Sequence, residues 1–179
     1  RLWIDLPWWK VFRRCVSSGT LAVLWAFMRL VHRQPIRSLG LGPWRQGRGQ
    51  LAAGAALGIA ALAILTAAYL ATGVLKVSIH PDTTKLVRTL ALSPLAMALV
   101  GLIEELIFRG YIFRQLRVCS DWFAILCSSI AYALVHLRTD LVWPGSVLEM
   151  IGLFILGCVL AVGVLQTGQL YLSIGLHAA

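Results

Sequence analysis

"LAAGAALGIAALAILTAAYLATGVL", residues 51–75, decides the fold: 25 residues without a charged side chain. A helix needs about 20 predominantly apolar residues to cross the hydrocarbon core of a bilayer. Inside lipid a backbone has to satisfy its own polar groups, and a helix does so within one segment. The many Ala and Gly side chains in this run also let a neighbouring helix approach closely. The whole chain agrees. Of 179 residues 59% are hydrophobic and 13% charged, with a mean hydropathy of +0.82, whereas soluble domains carry about 25% charged residues. The expected fold class is all-α, a polytopic transmembrane helix bundle with about five to six membrane helices.

Working outward toward the N-terminus, residues 32–50 hold Pro35, Gly40, Gly42, Pro43, Gly47 and Gly49 among four arginines, and read as a basic loop. An apolar helix over about 15–31 precedes it. Before that, Trp3, Trp8 and Trp9 mix with Arg1, Lys10, Arg13 and Arg14, a composition suited to the headgroup region. Residues 1–50 therefore form a first segment and 51–85 a second, comprising the membrane helix and the polar link "KVSIHPDTT". Residues 86–179 form the third.

Within 86–179 the spacing predicts a helix from about Thr84 through the 101–110 region, a charged turn at 117–121, and an apolar helix over 122–137. Pro144 and Gly145 turn the chain into a span over 146–165, and "QTGQ" at 166–169 connects it to a last helix. Trp122 and Trp143 beside helix ends read as interface anchors. His32 and His80 read as solvated loop residues, and Glu149 as a surface partner of Arg138. The chain starts at Arg1 and is expected to be part of a longer one.

The formal charge is +9, and 13 of the 16 basic residues are arginines. They lie in short stretches between apolar runs, which fits loops beside anionic headgroups and places 32–50 and 109–117 on the cytoplasmic side. No nucleic-acid partner is expected, because no soluble basic face with interleaved stacking aromatics exists. Cys15, Cys119, Cys127 and Cys158 show neither CxxC nor ligand-like spacing, and read as small packing residues.

The exception to the oily pattern is "GLIEELIFRG", residues 101–110. On a helix Glu105 and Arg109 share a face four residues apart, while Glu104 turns about 100° away. The ion pair offsets the cost of burying either charge, leaving Glu104 free for a task. A purely structural ion-pair cluster is the competing reading. Against it stand His136 in "AYALVHL" and His177 in "SIGLHAA", two further ionisable groups flanked by apolar residues.

Helix arithmetic tests whether they meet. Residue 120 lies 16 positions after Glu104 and 16 before His136, so a hairpin turning there sets both at one level, about 24 Å from the turn. His177 is nine residues past Gly168, about 14 Å from its own turn. The levels coincide if the first hairpin projects about 10 Å further. A carboxylate and two imidazoles in a partly dehydrated pocket can activate a water, hold an oxyanion, or ligate a divalent metal such as zinc in a His₂Glu set. Those three uses stay open at this point.

"EELIFRG" (104–110) resembles an EExxxR motif, "YALVH" (132–136) an FxxxH motif with Tyr132 in place of phenylalanine, and "GLHAA" the start of an HxxxN motif. In this order the three are similar to those of the CAAX protease and bacteriocin-processing (CPBP, or Abi) family of intramembrane endopeptidases, which includes type II CAAX prenyl endopeptidases. The resemblance covers roughly 86–179. It implies that Glu104 activates water, that His136 and His177 polarise water or oxyanion, and that Glu105, Arg109 and Tyr132 support them. The family's final asparagine would fall two residues beyond Ala179. The implied substrate is a membrane-embedded or lipidated protein, and the implied place is the bilayer, with the arginine-heavy, alanine-rich composition pointing to a bacterial cytoplasmic membrane. The alternatives are a transporter with a buried Glu/His proton relay, for which no inverted repeat is visible, and a non-catalytic immunity or interaction protein.

Overall fold

In the computed structural model the described residues are 8–77, 82–136 and 144–179, with backbone alone for 8–18 and Lys85. His80, Arg138 and Trp143 lie outside them, as do Arg1 and Trp3. Every regular element among the described residues is helical. Contacts divide the chain into two units, Arg1–Leu39 and Gly40–Ala179. In the first, helix α1 (Trp8–Leu30) packs on a 3₁₀ turn, Ile36–Leu39. Helix α1 begins at Trp8, inside the stretch expected to lie at the interface. His32 is half-buried, with its ring edge-on to Phe27 at 5.3 Å, rather than simply solvated.

In the second unit, helix α2 spans Trp44–Ala71, so the loop expected over 32–50 ends at Pro43. Gly47 and Gly49 each cost a helix interior about 1 kcal/mol relative to Ala, which is why the stretch reads as loop. Packing overrides that propensity at Gly47, where an added Cβ would collide with the ring of Tyr171. Helix α3 (Thr83–Glu105) runs without a break into a π-helical segment, Leu106–Ile112, and the short α4, Phe113–Leu116. Ser120 caps α5 (Asp121–Val135), its Oγ accepting the Phe123 N–H at 3.1 Å. Helix α6 spans Gly145–Thr167 and stops at Gly168, whose φ of 69° is left-handed backbone that glycine adopts without steric cost. Helix α7 is Tyr171–Ala178.

Helix α7 is the centre of this unit, in contact with α2, α3 and α6, while α5 packs on α6 and on the π segment. The α2–α7 crossing is close because it is built on glycine. A Cβ on Gly54 would collide with the Leu172 carbonyl oxygen, and one on Gly175 with that of Leu51. At the basic end of the unit, Arg114 donates to the Gly168 carbonyl at 3.1 Å, and the Leu170 N–H to that of Gly40 at 3.0 Å.

Among the described residues three stretches are long and apolar enough to cross a membrane: Trp44–Ala71, Leu86–Leu116 and Gly145–Thr167. Gly19–Leu30 and Asp121–Val135 are apolar but shorter. Large apolar side chains face outward along the helices, among them Ile64, Leu90 and Leu95 at 66–72% exposed, whereas Glu105 and Arg109 inside are fully buried. Buried charges beneath an apolar surface are an arrangement that lipid, rather than water, stabilises. The protein is an integral membrane protein. Cys119, expected to pack, is instead exposed on the α4–α5 link.

Candidate active site

The deepest group is an ion pair. Glu105 and Arg109 are both fully buried, and Arg109 Nη1 donates to Glu105 Oε1 at 3.1 Å. The pair forms across the junction of α3 with the π segment, the wider winding that frequently marks functional sites. Arg109 Nη2 donates to the carbonyl of Gly157 on α6 at 3.1 Å. Gly157 itself sits so close to Ser129 on α5 that a Cβ would come within 2.9 Å of the Ser129 Cβ. The Arg109 guanidinium also lies over the ring of Tyr132, 4.5 Å from the centroid. Arg109 thus ties three helical elements together. The sequence marked it as a partner of Glu105, but the Gly157 carbonyl went unrecognised, because a backbone acceptor has no side-chain signature.

Helix α7 brings His177 against this pair. Its Nδ1 lies 2.9 Å from Glu105 Oε1, so a carboxylate oxygen already holding Arg109 also fixes the imidazole. On α5, His136 Nδ1 lies 2.8 Å from the Tyr132 carbonyl oxygen. A carbonyl only accepts, so this Nδ1 carries the proton. The Tyr132 and His136 rings are 4.5 Å apart, and the Tyr132 hydroxyl lies 3.4 Å from His177 Nε2.

With both Nδ1 atoms engaged, both Nε2 atoms turn toward Glu104. Its Oε2 is 3.2 Å from His136 Nε2 and 3.5 Å from His177 Nε2, without hydrogen-bond alignment to either. Glu104 is therefore not the free carboxylate the helix geometry alone predicts; it faces two imidazoles. Glu104 and His136 meet at the level that the hairpin arithmetic expects. The three side chains retain 22%, 30% and 10% of their surface for Glu104, His136 and His177, so the cluster is reached from the Glu104 and His136 side.

The structure thus brings together all six residues singled out in the sequence: Glu104, Glu105, Arg109, Tyr132, His136 and His177. Among the described residues no three His, Cys, Asp or Glu side chains are disposed to hold a metal ion. What the cluster can do with its own groups is accept a proton from a water and offer polar contacts to a carbonyl, in a place where apolar helices exclude bulk solvent.

A family model, type II CAAX prenyl endopeptidase Rce1-like, matches residues 86–179. No curated protein and no solved structure matches the chain. The match takes in every residue of the cluster and just over half of the chain. The protein belongs to the Rce1-like family of type II CAAX prenyl endopeptidases, a family of CAAX-type intramembrane proteases.

Proposed function

We propose that the protein hydrolyses a peptide bond in a lipidated or membrane-embedded protein substrate, with Glu104 as the base that activates water. The observation that carries this reading is the position of Glu104, a partly accessible carboxylate facing two imidazole nitrogens inside an apolar bundle. In the step this supports, the water oxygen bonds to the scissile carbonyl carbon while its proton passes to the Glu104 carboxylate. The tetrahedral intermediate then collapses, the C–N bond breaks, and the proton held by Glu104 goes to the leaving amine. An imidazolium Nε2–H at His136 stabilises the oxyanion, and His177 and the Glu105–Arg109 pair hold the arrangement in place. The prenylated C-terminal motif named by the family is the first substrate to offer, and the arginine-heavy, alanine-rich composition favours a bacterial cytoplasmic membrane as the setting.

The test is cleavage by the purified protein in lipid nanodiscs of a panel of farnesylated CAAX peptides and transmembrane peptides, comparing wild type with Glu104→Gln. The substitution keeps size and hydrogen bonding while removing the base. Loss of kcat by about 10² to 10⁴ is expected, with cleavage by the wild type unaffected by a chelator. Cleavage abolished by chelation and restored by zinc would transfer the mechanism to a metal. Equal cleavage by the two proteins would make the carboxylates structural.

A further inference from the structure

Tyr132 departs from the phenylalanine of the motif it occupies, and the departure adds one hydroxyl to a cluster otherwise made of charged groups and imidazoles. The side chain is buried, 2% exposed, with Phe108 edge-on at 5.4 Å and Arg109 over its face. Its oxygen points at His177 Nε2, 3.4 Å away. An aromatic ring alone would satisfy all the packing.

Hydrogen-bond geometry says what the hydroxyl meets. Nδ1 of His177 faces a Glu105 oxygen that already accepts from Arg109, and a carboxylate oxygen only accepts, so Nδ1 carries a hydrogen. Nε2 is the ring nitrogen left to accept, and the Tyr132 hydroxyl is a donor within reach of it.

We propose that Tyr132 is a positioning residue of this site, its hydroxyl donating to Nε2 of His177 and holding that imidazole in the Nδ1–H tautomer, with its edge toward Glu104. The inference rests on the assignment of Glu104 and His177 to the site. It also says that one residue serves both imidazoles: the Tyr132 backbone carbonyl sets the tautomer of His136, and its hydroxyl sets that of His177. Phenylalanine at this place does only the first.

The experiment is ¹⁵N NMR of histidine-labelled full-length chain in nanodiscs, for wild type and Tyr132→Phe, with His177→Gln identifying the His177 signals. Wild type is expected to show one protonated and one unprotonated ring nitrogen for His177, the latter shifted by an accepted hydrogen bond. In Tyr132→Phe that shift is lost while the His136 signals keep their positions. Two protonated nitrogens on His177 in the wild type, or an Nε2 signal unmoved by the substitution, would overturn the proposal. In the peptide assay, Tyr132→Phe is expected to lower kcat on the order of ten-fold with KM unchanged. Because the NMR readout needs no substrate, it stands or falls separately from Glu104→Gln, whose retained cleavage would instead remove the catalytic reading.

Discussion

Arg109 is the residue on which the buried polar cluster depends most directly. It is fully buried and meets Glu105, the Gly157 carbonyl and the Tyr132 ring at once. Removing one member of a buried ion pair leaves the other charge uncompensated, at a cost of about 3–5 kcal/mol. Arg109→Met is therefore expected to lower the midpoint of denaturation in detergent sharply. The double variant Glu105→Gln with Arg109→Met is expected to recover much of the loss, because no lone charge remains. A single variant as stable as wild type would show that the pair contributes nothing to folding. The pairing of Glu105 with Arg109 was legible from their spacing alone, since i,i+4 neighbours share a helix face. The engagement of Glu104 was not, because its two imidazole neighbours lie on α5 and α7, 32 and 73 residues further along the chain.

At the scale of elements, His177 is held where it is by the glycine-built crossing of α2 and α7. Gly175→Ala drives a methyl into the Leu51 carbonyl oxygen, a backbone atom that cannot swing aside, and forces the helices apart. The expected result is lower stability together with a fall in kcat, since His177 lies two residues further along the same helix. Gly152 on α6 is the matched control. Nothing lies within 4 Å of the position of its Cβ, so Gly152→Ala is expected to raise stability by up to about 1 kcal/mol through helix propensity. If both variants behave alike in thermal unfolding, the close crossing is not what seats α7. The small-residue character of 51–75 announced such packing, but not its partner. Likewise the helical start of α2 at Trp44 was hidden by Gly47 and Gly49, whose cost is visible locally while the compensating contact with Tyr171 is not. The π segment at Leu106–Ile112 leaves no mark in hydropathy, because widening a helix changes phase rather than composition.

At the scale of the whole molecule, four arginines lie at one end of the Gly40–Ala179 unit, where Arg45 and Arg48 open α2 and Arg114 and Arg117 close the α3–α4 rod, against Lys76 and Arg88 at the opposite ends of those helices. By the positive-inside bias that end is expected to face the cytoplasm. Cys119 is exposed on the link beside it. A membrane-impermeant maleimide is expected to label Cys119 in inverted vesicles but not in intact cells, with Cys119→Ser as the blank. Labelling from outside would reverse the orientation and put the basic end in contact with the external face.

The sequence by itself determined the membrane, the helices and the ionisable residues, because hydropathy and helical spacing are local properties that each segment carries regardless of its neighbours. The tertiary structure alone decided that Glu104 faces His136 and His177, that Gly157 receives Arg109, and that the Tyr132 hydroxyl meets an imidazole. Those contacts join four helical elements distant in sequence, and their distances depend on how closely backbones approach. Close packing of glycine against backbone sets that approach, and no single segment encodes it.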